Sequence, residues 1–288
     1  MNRITLFLVI FILGAASCIK EESNLITGNN APKDEAITPL SIDNYINRVY
    51  ISLLGRKASD SEFIAAQALF QADPAAQANR ITLLAQVQAN PEYKTNLVYR
   101  TKLDLLEGVD SATIIRDYQQ ILAILQDPSK QSLYPAYEVI KLKLEALLEI
   151  SANYQAGAIH YMEVQRRCID NMYYDQINMG TENFVVSMFQ HFLDRYPSGQ
   201  ELSNGKAMVD GNNSSLFLQT GVGKDEFISI FFNSSAYAEG LVHNVARQYL
   251  FRKATQDEVL LLAPNYLQGF HIEAVHAYYL SSDEYFKQ

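Results

Sequence analysis

The 288-residue chain has no Trp, two Cys, eight Pro and 13 Gly, and its 23 Lys and Arg are outnumbered by 32 Asp and Glu. Two cysteines are too few for a disulfide-stapled scaffold. The scarcity of Pro and Gly argues against a turn-rich β protein and for helices. A net charge of −9 argues against a nucleic-acid partner, which is held by cationic patches facing phosphates. The lack of Trp counts against a flat sugar platform, although 18 Tyr leave that chemistry open. What is present, 48% hydrophobic residues, excludes a wholly disordered chain.

The address lies in the first residues. Met1-Asn2-Arg3 is followed by an apolar run from Ile4 to Gly14 and then Ala15-Ala16-Ser17-Cys18. A bilayer span needs about 20 apolar residues, so residues 1–17 read as a secretory signal. Small residues directly before Cys18 resemble the lipobox of bacterial lipoproteins, with Ala15 where Leu is usual. That resemblance implies cleavage before Cys18 and acylation of its thiol and new amino group, anchoring the chain to a membrane. The next residues, Lys20, Glu21 and Glu22, resemble the export signal of surface-exposed Bacteroidota lipoproteins, which implies an outer-membrane protein facing the exterior. Residues 18–40 are then the lipidated Cys and a flexible tether. Cys168 is left without a disulfide partner and reads as a buried helix residue.

Three segments align around an arginine. They run Leu53-Leu54-Gly55-Arg56 to Phe63, Phe192-Leu193-Asp194-Arg195 to Leu202, and Tyr249-Leu250-Phe251-Arg252 to Val259. Upstream of each, apolar residues fall at i, i+3, i+4, i+7 and i+8, as in Ile46, Val49, Tyr50, Leu53 and Leu54, which predicts one face of a helix. Downstream, Ser59-x-x-Glu62, Ser198-x-x-Glu201 and Thr255-x-x-Glu258 are capping boxes. Each unit therefore reads as helix, sharp corner, capped helix, with the arginine bonding the last carbonyls of the first helix or a nearby carboxylate. Asp194 and Phe251 replace Gly55, which predicts blunter helix stops in the second and third units. End markers follow at Asn90-Pro91-Glu92-Tyr93, Ser234-Ser235-Ala236-Tyr237 and Ser282-Asp283-Glu284-Tyr285, with each Tyr packed on the preceding helices and its hydroxyl near water. This signature is similar to a short helical module of unknown function from bacterial secreted and surface proteins, which resembles the phycobilisome linker repeat. The resemblance implies an α-helical scaffold and carries no catalytic residues.

The predicted organisation is all-α: a multi-helix array of about three helix-corner-helix repeats plus a long central helix. The units span 41–96, 181–240 and 241–288, with a central helical region at 97–180. There, an apolar stripe from Ile140 through Leu147, Tyr154 and Tyr161 to Met172 predicts one long helix, or two nearly collinear ones, over Pro135–Asn178, interrupted only by Gly157. Tyr173 and Tyr174 are its expected exposed aromatics. Leu103 to Ser111 reads as a worn corner without its arginine.

Catalytic chemistry is sparse. His271 and His276 lie five apart, about 140° around a helix, and do not make a zinc pair. Gly221-Val222-Gly223-Lys224 lacks the rest of a phosphate loop and reads as a helix–helix connection. No nucleophile elbow or Cys–His arrangement is present. The sequence thus points to no enzyme, cofactor, metal or nucleic acid. It favours a surface scaffold docking on an outer-membrane protein complex, with a ligand-binding lipoprotein (glycan or peptide) serving a transporter as the alternative.

Overall fold

The structure is a computed structural model that describes residues 37–288, so the expected signal segment, Cys18, Lys20, Glu21 and Glu22 lie outside the described residues. The fold is all-α, a multi-helix array with one two-stranded hairpin among the described residues. Unit one comprises α1 (Pro39–Leu54), α2 (Asp60–Leu69) and α3 (Gln77–Ala89). Then come α4 (Pro91–Leu106), α5 (Ser111–Leu125), a 3-10 segment (Pro128–Leu133), α6 (Tyr134–Leu148), α7 (Ile150–Gln155), α8 (Tyr161–Ile169) and α9 (Met172–Ile177). Unit two has α10 (Thr181–Leu193), α11 (Gly199–Val209), strands β1 (Ser214–Leu216) and β2 (Gln219–Gly221), and α12 (Lys224–Phe232). Unit three has α13 (Ser235–Leu250), α14 (Gln256–Gly269), α15 (Ile272–Leu280) and the short α16 (Asp283–Phe286). None of these helices is long and apolar enough to cross a membrane.

The predicted stripes form the core. All five stripe residues of α1 are buried, as are Val185, Met188, Phe189, Phe192 and Leu193 of α10 and Val242, Val245, Ala246, Tyr249 and Leu250 of α13. Each large apolar side chain so buried contributes about 1.5–3 kcal/mol. Each helix starts and stops where local chemistry dictates. Thr38 caps α1 ahead of Pro39, and all three Ser/Thr-x-x-Glu boxes make both reciprocal bonds. The first and last units touch: the Tyr45 hydroxyl donates to the Leu280 carbonyl at 3.0 Å, and Arg48 to those of Tyr285 and Phe286 at 2.8 and 3.1 Å. Buried Arg80 bonds the Ser281 carbonyl and the Asp283 carboxylate.

Several expectations are corrected. Asp194 (φ 51°) and Phe251 (φ 55°) enter the left-handed region as Gly55 (φ 76°) does, so the helix stops of units two and three are equally sharp. The corner geometry is set by packing and by the capped second helix, which override the penalty of about 1 kcal/mol for a side chain there. The unit boundaries expected at 96 and 240 fall inside α4 and α13, because Asn90 and Ser234 of the first two end markers cap those helices. The Leu103–Ser111 stretch is a true corner, with Glu107 at φ 49° and Asp110 capping α5 through the Thr113 amide.

The long central helix is the largest departure. Pro135–Asn178 is broken into α6, α7, α8 and α9. Gly157 (φ 72°) turns the chain after α7, and Asn171 ends α8 and starts α9. Its side-chain nitrogen donates to the Arg167 and Cys168 carbonyls while its oxygen accepts from the Tyr173 and Tyr174 amides. Tyr173 and Tyr174, expected on the surface, are buried, with hydroxyls bonded to Asp117 and to His191 Nδ1. The Gly221–Lys224 stretch joins a strand to a helix: Gly221 ends β2, pairing with Ser214 of β1, and Gly223 precedes α12.

Candidate functional site

The corner residues come together three times in one pattern. Arg56 grips Glu62 with two parallel bonds, Nη1 to Oε2 at 2.7 Å and Nη2 to Oε1 at 2.9 Å. Oε2 also accepts the Ser59 amide at 2.8 Å, so one carboxylate serves cap and guanidinium together. Arg195 holds Glu201 at 2.8 and 2.7 Å while Glu201 accepts the Ser198 amide, and Arg252 holds Glu258 at 2.9 and 2.8 Å while Glu258 accepts the Thr255 amide. Each arginine also donates to the carbonyl of the next residue, Lys57, Tyr196 or Lys253. The arginine side-chain bonds hold Glu62 and Glu201 down to about 2 and lower Glu258 as well. These guanidiniums are occupied by the chain's own carboxylates, which makes the corners structural joints.

A second carboxylate completes two of the three. Arg56 Nε and Nη2 bond Glu92 at 2.6 and 2.9 Å, and Arg252 Nε and Nη2 bond Glu284 at 2.7 and 2.6 Å. Both glutamates belong to end markers, one residue before Tyr93 and Tyr285. The second marker has Ala236 at that position, so Arg195 keeps a single carboxylate and lies over the Phe189 ring, 4.9 Å from its centroid. The marker tyrosines are buried, contrary to the expectation of hydroxyls near water: Tyr93 bonds His276 Nδ1 at 2.9 Å, Tyr237 bonds Gln165 and Tyr266, and Tyr285 bonds Ser52.

A cleft of about 190 Å³ lies elsewhere, where α4, α8, α10, α13 and α15 converge. Its apolar wall includes Leu97, Phe192, Val245 and Ile272. On α4, Arg100 donates to the Ser52 carbonyl at 3.2 Å. It also meets the Gln248 carboxamide, whose oxygen, turned toward it, accepts from Nη1 and Nη2 at 3.0 and 2.8 Å. Asp104, one turn along the same helix, lines the cleft and makes no hydrogen bond among the described residues. Partial burial raises its carboxyl above the ordinary value, against the pull of Arg100. Deeper, Tyr161 and Thr101 share a bond of 3.1 Å, and Tyr237 donates to Gln165 Oε1 at 2.5 Å. Buried His276 is pushed down to about 3 by desolvation and stays neutral.

The remaining sequence candidates stand apart from one another. His271 is exposed and His276 buried, so they share no site, and no group of His, Cys, Asp or Glu able to hold a metal occurs among the described residues. Cys168 is fully buried, and burial pushes its thiol up to about 12, far from reactivity. Sequence reasoning missed the cleft because its residues come from five helices, at spacings that match no motif.

A second surface feature is an arm. The α5–3-10–α6 hairpin has no buried residue from Leu122 to Lys143, and Ile115, Leu133, Val139 and Leu142 are exposed on it. Its root is fastened by Tyr173 to Asp117 and Lys143 to Asp170, and its two helices are tied by Tyr118 to Glu145.

The chain matches no known protein family, no curated protein and no solved structure.

Proposed function

We propose that this chain is a non-enzymatic surface lipoprotein, held to the outer membrane by acylated Cys18 and exported by Lys20, Glu21 and Glu22, whose helical body is the interaction subunit of an outer-membrane protein complex. The kinship to the helical module of bacterial surface proteins is part of the same proposal. One observation carries it: no residue of the arm is fully buried for 22 residues, and beside Leu125, Tyr137 and Ile140, which pack partly against the core, it exposes Val139 and Leu142 on α6 and Ile115 on α5. Apolar side chains on an unburied helical hairpin are suited to a partner's groove or helix.

The test is purification of the native lipoprotein from membranes in mild detergent, beside a Val139→Asp, Leu142→Asp variant. The wild type is expected to bring down a defined membrane partner that the variant loses. Recovery of the wild type as a lone monomer overturns the scaffold reading. Cys18→Ala is expected to release the protein from the membrane, and protease added to intact cells is expected to digest the wild type. Resistance until the outer membrane is broken overturns the surface address.

The polar cleft favours a second reading, a ligand-binding lipoprotein serving an outer-membrane transporter. Its unpaired Asp104 and neutral buried His276 are the groups on which that reading rests.

A further inference from the structure

We infer that the cleft between α4, α8, α10, α13 and α15 binds one neutral, polyhydroxylated ring the size of a monosaccharide, an inference that rests on the second reading above and names its ligand class.

Size sets the first limit. At about 190 Å³ the cleft falls below the roughly 300–1,000 Å³ of pockets for drug-sized ligands, yet is several times the ~30 Å³ share of one water. A peptide or an oligosaccharide does not fit inside it, whereas a single ring does.

Charge sets the second. Arg100 and Asp104 lie a turn apart on α4, so the wall carries balanced charge, and the Arg100 guanidinium already bonds Ser52 and Gln248. His276 is neutral at any ordinary pH. An anion finds no free cation here, and a cation would meet Arg100.

The unused hydrogen-bonding groups set the third. Asn244 spends its amide nitrogen on the His191 carbonyl at 3.1 Å, which leaves its oxygen as an acceptor. Gln165 spends its oxygen on Tyr237, which leaves its nitrogen as a donor. Buried His276 uses Nδ1 on Tyr93 and His191 uses Nδ1 on Tyr174, so each ring keeps Nε2 without a partner among the described residues. Asp104 offers two acceptor oxygens. A set that mixes free donors with free acceptors matches hydroxyls, each of which gives one hydrogen bond and accepts another. Phe192, Leu97, Val245 and Ile272 cover the C–H face that a sugar ring also has. Asp104 and His191 are exposed, so a matching ligand exchanges the water on these groups for hydroxyls held by the wall.

The experiment is isothermal titration of the full detergent-solubilised chain with a panel of neutral pentoses, hexoses and N-acetylhexosamines. Dipeptides, small amines and carboxylic acids form the control arm. At least one neutral sugar is expected to bind saturably at one site per chain. Asp104→Ala removes an accessible carboxylate, and Gln165→Glu keeps the acceptor that Tyr237 uses while removing the donor. Each is expected to weaken sugar binding about tenfold, with the wild-type thermal midpoint retained. Binding of control compounds instead of sugars, lost in Asp104→Ala, overturns the polyol assignment and leaves the ligand-binding reading standing. No binding by any probe, or sugar binding indifferent to both substitutions, overturns both and makes the cleft a solvated gap.

Discussion

The crossing of α1 by α4 and the crossing of α10 by α13 are the same joint at the first and second corners, yet one row of side chains in it differs at each position. Along α4, Glu92, Asn96 and Arg100 reach back to Arg56, the Leu53 carbonyl and the Ser52 carbonyl. Along α13 the same row reads Ala236, Gly240 and Asn244. Ala236 leaves Arg195 without a second carboxylate, Gly240 lies bare against the Phe192 carbonyl, and only Asn244 bonds, to the His191 carbonyl. Unit three follows unit one, with Glu284 on Arg252 and Gln288 on the Tyr249 carbonyl at 3.2 Å. The last carbonyls of a helix need either a donor or a close neighbour, and the repeat accepts both solutions. Its geometry recurs while its chemistry alternates.

The sharpest way to break the comparison is at Gly240. Gly inside a helix costs about 1 kcal/mol relative to Ala, so its place in mid-α13 is explained by the joint. A Cβ there would collide with the Phe192 carbonyl oxygen and press on Leu193, both on α10. Backbone cannot swing aside as a side chain does, so Gly240→Ala is expected to cost about 3 kcal/mol, read by urea unfolding. A variant as stable as wild type would mean that the helices are further apart than described.

Arginine removal comes next. Arg56→Ala strips four bonds from two carboxylates and Arg195→Ala strips two from one, so costs of about 1.5 and about 0.5 kcal/mol are expected, since such pairs are partly exposed. The pH dependence has a definite sign. Glu62 and Glu201 ionise near 2 in the folded chain and near about 4.3 in the unfolded one, so their stabilisation is present above the higher value and is lost as pH falls through the lower. Arg56→Ala is expected to flatten the stability–pH slope over that acid window. An unchanged slope would detach Glu62 from Arg56.

How much of this was legible in the sequence follows from where each signal resides. The capping boxes are local, four residues wide, and their chemistry admits one geometry, so the corners emerged intact. The arginine's carboxylate was legible as an option and not as Glu62 in particular. The Glu92, Ala236 and Glu284 alternation stood in the end markers, but its meaning depends on a corner 36 residues away in unit one, which spacing alone does not connect. The central region misled for a physical reason. All four helices from α6 to α9 turn an apolar face to one core, so the stripe continues across Gly157 and Asn171 although the axis does not. Asn171 is a capping type of residue, but the apolar stripe runs past it, so the break shows in its double capping bond. The cleft was invisible because Arg100, Gln165, His191 and His276 are far apart in the chain.

A smaller effect tests the polar version of the joint alone. Asn96→Ala removes one bond to the Leu53 carbonyl without creating a clash and is expected to cost about 1 kcal/mol. A neutral outcome would show that water replaces the amide at that carbonyl.

The smallest expected effect is a gain. Ala236→Glu would give unit two the carboxylate that its siblings possess, in the first turn of α13, where a negative charge also favours the exposed amides. Arg195 is partly exposed and already pinned by Glu201, so the guanidinium needs little reordering to receive a second partner. A stabilisation of about 0.5 kcal/mol is expected, and it must vanish when the same change is made in an Arg195→Ala background. The double-mutant cycle separates the two sources of gain. A benefit that survives without Arg195 belongs to the helix dipole, and the equivalence of the three corners then fails at this position. A benefit that needs Arg195 means that unit two lost a carboxylate from a joint still shaped to hold one.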